Sequence, residues 1–308
     1  MSYREKERKR AIQIRESLLK DPGMGIFREK KWEFVLLNPR YSLWAGIRED
    51  AIEYFNRNKI NWWESQDEPT GHLLSSQIAC LNHLYFLRQR EDIATAVLKD
   101  IIPKIKRACI VDDGFVEFEM IGKNKYLPER SHVRGKNSTS IDALMLGEKE
   151  DGKRVLIFIE WKYTEFYHAE SLAISSAGTS RINIYKPLLE KTDCPIRFDS
   201  IEGLFFDPYD QLMRQTLLAW RMVDAHEYGA TDWMHLHIIP KANKELRDRN
   251  TSVGLKGKDM SSCWKGVLKE PNRYLTLSPE ELLKPALGCL DAKSLMDYLK
   301  KRYWEDNN

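Results

Sequence analysis

The sequence predicts an α/β protein in which helices flank a mixed central sheet. The first observation is the order of the elements: helix-like segments come first, three strand-like segments follow, and a helix, a further strand and more helices complete the chain. The second is the composition, since 42% of the 308 residues are apolar, which provides a sizeable core and excludes a disordered chain. We therefore expect a core over residues 72–240, a helical N-terminal extension over 1–71, and a basic loop with a helical C-terminal part packed on the core over 241–308.

Composition also narrows the class and location of the protein. No apolar run approaches the ~18–20 residues of a membrane span, and the charged residues 1–10 lack the apolar stretch of a signal peptide. The five cysteines are an odd number without a C-x-x-C pair, so neither a disulfide framework nor a zinc cage is indicated. We expect a cytoplasmic protein with reduced thiols and no membrane contact.

Apolar residues at helical spacing define most of the helices. The segment 72–90 carries them three or four positions apart, for example at Leu74, Ile78 and Leu81. Near the C-terminus, Ser278-Pro279-Glu280-Glu281 forms a capping box with proline in the first helical position. We predict helices over residues 1–20, 42–57, 72–90, 92–106 with a kink near Pro103, 210–224 and 291–303.

Segments rich in β-branched and aromatic residues predict strands over residues 115–121, 140–146, 154–163 and 233–239. The Asp-Gly pair between the second and third strands predicts a hairpin. With the three-residue loop Glu150-Asp151-Gly152 and a left-handed glycine, Lys149 pairs with Lys153 and Asp142 lies opposite Glu160. A two-residue loop would turn Asp142 to the other face, so we predict the odd loop length.

Charged residues at the ends of these two apolar strands define the candidate chemistry. Buried charges are costly, so Asp142, Glu160 and Lys162 need partners, ions or a functional reason. In the predicted register they share one face, and two carboxylates on residues ~4.5–5.5 Å apart repel unless a cation lies between them. Mg²⁺ fits, because it binds one or two carboxylates together with water and phosphate oxygens. Lys162 would hold the attacking water and stabilise charge on the phosphate, whereas a structural ion pair is the alternative interpretation.

These residues carry a resemblance to a known superfamily. Asp142, 18 positions before Glu160 in Glu160-Trp161-Lys162, resembles the motif of the PD-(D/E)XK nucleases, with Ile141 in place of the proline. The order of elements over residues 72–240 is similar to the restriction-endonuclease-like core of that superfamily. More narrowly, about half of the chain resembles a bacterial family of restriction-type endonucleases, through Leu74-Ser75-Ser76-Gln77, Phe118-Glu119, Ile159-Glu160-Trp161-Lys162-Tyr163-Thr164-Glu165 and Gln211-Leu212-Met213-Arg214-Gln215.

The resemblance implies a nuclease that acts on DNA with Mg²⁺ as cofactor, or with Mn²⁺ as a substitute. It implies that Asp142 and Glu160 are metal ligands, that Lys162 is the catalytic lysine and that Glu119 is an additional acidic group near the metal. We therefore expect an endodeoxyribonuclease of restriction or defence type that cuts double-stranded DNA, for which symmetry favours a homodimer. Three alternatives stay open: a repair or recombination nuclease, an RNA-cleaving nuclease of the same fold, and a nucleic-acid-binding module that does not cut.

Four polar residues on helices are candidates for accessory roles. Gln211, Arg214 and Gln215 lie three and four positions apart after the hairpin, so they lie near one helix face. Gln77 lies in the first core helix. All four could orient water or contact phosphate, or they could face solvent or cap a helix.

Two segments concentrate positive charge and are candidates for phosphate binding. Residues 241–273 carry nine basic and four acidic residues, and Lys241 and Arg247 lie there just after the last core strand. Residues 121–136 carry five basic residues and one acidic residue. Both segments could bind the phosphate backbone or remain a solvated surface.

Histidines and tryptophans offer weaker signals. His235 and His237 alternate on one strand and share a face, but a metal pair lacks an obvious third ligand, so we expect core or edge histidines. Trp44, Trp62 and Trp63 could stack on bases. Core packing is the more common role of such residues, and we expect it here.

Overall fold

The computed structural model describes residues 1–65, 67–134, 138–175 and 178–304. Its helices are α1 (Tyr3–Leu19), α2 (Arg48–Arg57), α3 (Ser76–Leu84), α4 (Glu91–Ile101), α5 (Arg181–Leu189), α6 (Tyr209–Asp224), α7 (Lys244–Arg247), α8 (Met260–Val267), α9 (Pro279–Leu282) and α10 (Lys293–Arg302). Its strands are β1 (Gly25–Phe27), β2 (Lys30–Trp32), β3 (Ile105–Cys109), β4 (Glu117–Met120), β5 (Ile141–Lys149), β6 (Arg154–Trp161), β7 (Ala230–Ile238) and β8 (Tyr274–Leu277).

Within the described ranges, six strands form the central sheet, and its mixed pairing with flanking helices confirms the predicted α/β class. Along one edge of β5, its first half pairs antiparallel with β4 and its second half with β3. Along the other edge, β5 pairs antiparallel with β6. Beyond β6, the strands β7 and β8 run parallel to it. The parallel β6–β7 step needs a long crossover, which α5 and α6 provide.

Both faces of the sheet are buried, which explains the nearly unbroken apolar runs of β5 and β6. Ala143 and Met145 of β5 belong to a core that also contains apolar residues of α3 and α4. Leu144 and Leu146 point the other way, into a core shared with α6 and α8. Because helices cover both faces, charged side chains on these strands can reach solvent only near the strand ends.

The β5–β6 hairpin has the predicted register. Its pairs run from Glu148↔Arg154 to Ala143↔Ile159. At the turn, the Lys149 N–H donates to the Lys153 carbonyl at 2.8 Å. Gly152 has a φ of 82°, in the left-handed region. The three-residue loop is therefore confirmed, and the next position of this register places Asp142 opposite Glu160.

Two predicted helices begin later than expected. The helix predicted over residues 42–57 begins at Arg48, after a short 3₁₀ turn. The helix predicted over 72–90 begins only after Ser75, because the Ser75 hydroxyl accepts the N–H of Ile78 at 3.3 Å and caps the first turn. The last residues of that prediction form a 3₁₀ helix rather than an α-helix.

Pro103 lies beyond a helix end and does not kink the helix. The helix predicted over 92–106 ends at Ile101, since a residue that precedes proline is disfavoured in the helical conformation. The chain continues directly into β3, so the helical prediction is wrong for this part. The short elements β1, β2, β8, α5, α7 and α8 were also not predicted.

The expected core packing of the tryptophans holds for Trp62 but is wrong for Trp63. Trp62 is 2% exposed and stacks on Phe55 at 4.0 Å between ring centroids. Trp44 packs partly against the same core. Trp63 is 40% exposed, because the two neighbouring rings of this loop point in different directions.

The helices at the two ends of the chain pack against each other and against the core. α1 contacts α10. The buried Tyr163 hydroxyl, just after β6, donates to Oε2 of Glu7 on α1 at 2.6 Å. Nδ2 of Asn82 on α3 donates to the Tyr303 hydroxyl at 2.8 Å. In the described ranges, no helix has the length and apolarity needed to cross a membrane.

Replacing Gly152 with alanine should destabilise the turn that sets the hairpin register. No atom lies within 4 Å of a Cβ added there, so only the left-handed backbone opposes the change. We expect the free energy of unfolding, measured in urea, to fall by about 1 kcal/mol. Gly288→Ala is the matched control, because a Cβ added there also meets open space while its φ lies outside the left-handed region. Equal stability of the two variants would contradict the argument.

Candidate active site

The candidate site lies where β5 begins and β6 ends. Asp142 is the second residue of β5, and Glu160 is the last but one of β6. The backbone N–H of Lys162 donates to the Ile238 carbonyl at 2.8 Å, so Lys162 still follows the sheet. The N–H of Trp161 donates to Oδ2 of Asp142 at 2.7 Å and holds that carboxylate against the end of β6. The structure thus brings the three predicted residues together, and their chemical roles stay predictions.

Two glutamines of α6 hold the charged pair. Nζ of Lys162 lies 2.5 Å from Oε1 of Glu160 and donates to Oε1 of Gln211 at 2.6 Å. Nε2 of Gln215 donates to Oε2 of Glu160 and, at 3.1 Å, to the Ser140 carbonyl. Glu160 and Lys162 are only 1% and 5% exposed. One face of α6 therefore satisfies a pair of charges that solvent hardly reaches.

Glu119 enters the site through an unusual backbone conformation. Its neighbours pair regularly with β5, as Phe118↔Ala143 and Met120↔Ile141, yet Glu119 itself has a φ of 50°. That left-handed conformation is uncommon for residues other than glycine. Its half-buried carboxylate accepts hydrogen bonds from Nε2 of Gln77 at 2.8 Å and from the Ser140 hydroxyl at 3.1 Å. A local distortion of β4 thus accompanies the placement of a third acid beside the pair.

Burial and like charges oppose full ionisation of the acids. Burial raises the pKa of Asp142 well above its ordinary value, and the charges of Glu160 and Glu119 raise it further against the effect of Lys162. Burial likewise raises the pKa of Glu119, against its two hydrogen bonds, and the charge of Glu160 adds to the rise. Burial acts to lower the pKa of Lys162, but nearby negative groups, of which Glu160 has the largest effect, hold this pKa well above its usual range. The lysine stays a cation while the acids compete for the same positive charge.

The donor set fits a hard cation that completes its shell with water or substrate. Among the described residues, no group of three or more His, Cys, Asp or Glu side chains is arranged to hold a metal ion. Mg²⁺ does not need one, since one or two carboxylates suffice when waters and phosphate oxygens fill the other positions. Asp142 is half-buried, and within the described residues only its Oδ2 accepts a hydrogen bond. The other oxygen is therefore available to a cation.

The predicted basic residues make contacts outside the carboxylate cluster. Arg214 donates to Oδ2 of the buried Asp210 at 3.0 Å. Nζ of Lys241 lies 2.7 Å from a glutamate of α9. Arg247 donates to the carbonyl group just after β7 at 3.0 Å. Lys136, counted in the basic segment 121–136, lies outside the described residues. Contact of these side chains with a nucleic acid stays a prediction.

His235 and His237 are core histidines. They are 1% and 0% exposed, and His237 Nδ1 lies 2.9 Å from the Tyr274 hydroxyl. Burial lowers the pKa of His235 to about 4 and that of His237 well below its ordinary value. Both rings are therefore neutral at neutral pH and add no positive charge beside Glu160.

Three neighbours of the site were not found by sequence reasoning. Ser140 binds Glu119, and its position two residues before Asp142 was a usable signal. Cys80 is buried on α3, and burial followed by the charges of the site acids raises its pKa. Its i+3 spacing from Gln77 could have indicated the same helix face. Tyr167, whose ring centroid lies 5.8 Å from Nζ of Lys162, follows in an irregular loop that gives no periodic signal.

Comparison with known proteins identifies the family of the chain. The sequence model of a family described as "restriction endonuclease associating with ARP" matches residues 13–304. No curated protein and no solved structure matches the chain significantly. The family match covers nearly the whole chain and confirms the resemblance to restriction-type endonucleases.

Replacing Asp142 with asparagine should stabilise the metal-free protein more at high pH than at low pH. Because the pKa of Asp142 is higher in the folded than in the unfolded protein, its contribution to stability is fully present below the unfolded-state pKa, near 3.8. That contribution is lost as the pH rises through the folded-state pKa. Asparagine removes that loss, and each unit of pKa elevation corresponds to about 1.4 kcal/mol. Melting temperatures in EDTA at pH 5 and pH 8 provide the measurement.

The exposed Asp151 at the hairpin turn is the matched control for this measurement. A hydrogen bond from the Lys153 backbone leads the causes that lower its pKa, so Asp151→Asn should show no gain at high pH. A constant difference between the Asp142 variant and wild type at both pH values would show that the pKa of Asp142 is not raised in the folded protein.

Proposed function

The chain belongs to the family of restriction endonucleases associating with ARP, and from this premise we propose that it hydrolyses phosphodiester bonds within double-stranded DNA with Mg²⁺ as cofactor. The observation that carries the proposal is the buried Lys162–Glu160 pair beside Asp142. Such a set serves a cation and a phosphate at once, since the carboxylates attract the metal and the ammonium group attracts the phosphate. A restriction or defence role follows from the family. A homodimer would supply two sites for the two strands.

Asp142 and Glu160 are the proposed ligands of the cation. When bound, Mg²⁺ supplies positive charge to the phosphate and makes a water molecule more acidic. The chain would supply the two carboxylates, and Asp142, whose pKa is raised, would bind the cation in its ionised form. Gln215 donates to Oε2 of Glu160 and keeps that carboxylate directed toward the end of the hairpin.

Lys162 acts as a fixed ammonium group. Because its pKa is held above the ordinary value, it stays protonated and cannot take the proton of the attacking water. It instead orients that water and stabilises negative charge on the phosphate, with Gln211 holding Nζ at 2.6 Å. Water adds to the phosphorus, one ester P–O bond breaks, and the departing oxygen takes a proton from solvent. Glu119 would accept the proton of the water, since a carboxylate with a raised pKa is the stronger base.

Cleavage of supercoiled plasmid DNA tests this function. We expect wild type to nick or linearise the plasmid in Mg²⁺, and Lys162→Ala to lower the rate by roughly 10²-fold or more, because it removes a preorganised charge from the phosphate. Lys153→Ala is the matched control, since this exposed lysine lies at the turn end of the same hairpin. Cleavage that survives EDTA, or an equal rate for both variants, would refute the assigned role of Lys162 or of the metal.

Metal binding can be tested without any cleavage. Mg²⁺ that binds only the folded protein stabilises it by about 2.7 kcal/mol at one hundred times its dissociation constant. We therefore expect the melting temperature of wild type and of Asp151→Asn to rise with Mg²⁺, and that of Asp142→Asn to rise much less. If all three proteins respond alike, Asp142 is not a metal ligand.

A further inference from the structure

A small β-hairpin lies outside the central sheet. Strands β1 and β2 pair as Phe27↔Lys30 and Ile26↔Lys31. The two turn residues, Arg28 and Glu29, have φ values of 47° and 65°. Two positive φ values are typical of the tight turn that matches the twist of the flanking strands. The hairpin therefore presents its tip in a defined conformation.

Aromatic and basic side chains meet at this tip. The exposed Trp63 ring lies 5.4 Å from the Phe27 ring and edge-on to His72 at 5.3 Å, between centroids. The Arg28 guanidinium lies 5.2 Å from the Phe27 centroid and 2.5 Å from Glu64. We call residues 26–31 together with Trp63 the aromatic–basic lip. Trp63 is 40% exposed, so part of its ring is open to solvent while Phe27 and His72 lie beside it.

One side chain connects the aromatic–basic lip to the candidate active site. Oε1 of Gln77 accepts the backbone N–H of Trp63 at 2.9 Å. Nε2 of the same residue donates to the Asn61 carbonyl at 3.3 Å and to Oε1 of Glu119 at 2.8 Å. The backbone of Trp63 is thus linked through one glutamine to a carboxylate of the site.

Two basic side chains of this surface have no acidic partner among the described residues. Lys30 and Lys31 are exposed, and within the described part of the chain neither has an ion-pair partner. Arg4, Arg8 and Arg28 add to burial in lowering the pKa of His72 to about 4, so their combined field reaches the base of the lip. The acids nearby in the sequence are Glu29, Glu33, Glu64, Asp67 and Glu68, of which Glu64 pairs with Arg28 and Glu68 with Arg40.

We propose that the aromatic–basic lip contacts the DNA strand that enters the candidate active site, with Lys30 and Lys31 on phosphates and the Trp63 ring on a base. The inference rests on the proposed function. DNA is the occupant that suits this surface, because phosphates match unpaired lysines and any base can stack on an exposed indole. A partner protein could also cover the exposed Ile26 and Trp63, but lysine is depleted at the centres of protein interfaces, and two unpaired lysines lie here.

Salt-dependent binding of a short fluorescein-labelled duplex tests the lysines. Measurement in EDTA and in an Asp142→Asn background prevents cutting and removes one repelling charge. Loss of two phosphate contacts in Lys30→Ala/Lys31→Ala should lower the slope of log Kd against log salt by about 2 and weaken binding roughly tenfold or more. The matched control is Lys104→Ala/Lys106→Ala, which removes two exposed lysines at the opposite, turn end of the β5–β6 hairpin.

Stacking is tested separately at Trp63. Trp63→Ala should weaken binding by roughly tenfold, whereas Trp63→Tyr keeps an aromatic face and should keep most of the affinity. Melting temperatures show whether either Trp63 variant has lost its fold. If one has, the lysine variants still test whether the lip binds DNA. Wild-type affinity in Trp63→Ala would overturn the assignment of this ring to a base.

The outcomes separate this inference from the function on which it rests. If wild type cuts plasmid but the Lys30→Ala/Lys31→Ala variant binds the duplex as tightly as the Lys104→Ala/Lys106→Ala control, the lip does not bind DNA and the proposed nuclease function stands. If binding depends on the lip but wild type does not cut, the lip stands and the proposed chemistry is wrong. If the Asp142→Asn background protein binds no DNA at all, the lip inference is overturned.

Discussion

The site depends on one constraint: acids at the end of the β5–β6 hairpin lie close together and partly out of solvent, so burial and their mutual repulsion both oppose ionisation. Burial and the charge of Glu160 raise the pKa of both Asp142 and Glu119, and Lys162 can offset only one negative charge. Unpaired buried charge is expensive, so the surrounding helices must supply hydrogen bonds. This accounts for polar residues on α3 and α6 at positions that otherwise face an apolar core.

The chemical type of those hydrogen-bond donors matters as much as their number. Gln77 and Gln215 donate to carboxylates through neutral amides. An amide satisfies a carboxylate without cancelling its charge, whereas an arginine at the same place would neutralise it. The arginine nearest in sequence, Arg214, is directed to Asp210 instead. The amides consequently leave the carboxylates able to carry negative charge when a divalent cation binds.

The sequence predicts those parts of the site that depend on residues close together in the chain. Turn chemistry at Gly152 and the requirement that Asp142 and Glu160 share a face together predicted the register. Glu119 was predicted only by resemblance, because its left-handed backbone breaks the strand periodicity on which face assignments rely. Short strands such as β3 and β8 carry too few residues to show a period, and their pairing partners are distant in the chain. The exposure of Trp63 likewise depends on tertiary contacts rather than on its neighbours.

The conformation of Glu119 shows how the site and the adjacent surface are coupled. A left-handed backbone at a residue other than glycine costs about 1–3 kcal/mol and persists only where surrounding contacts hold it. Here those contacts come from Ser140 and Gln77, and Gln77 also fixes the backbone of Trp63. A movement of the Trp63 loop would therefore change the hydrogen bond that helps to hold Glu119 in place. Contact with a ligand at the lip and the position of the third acid are thus linked through one amide group.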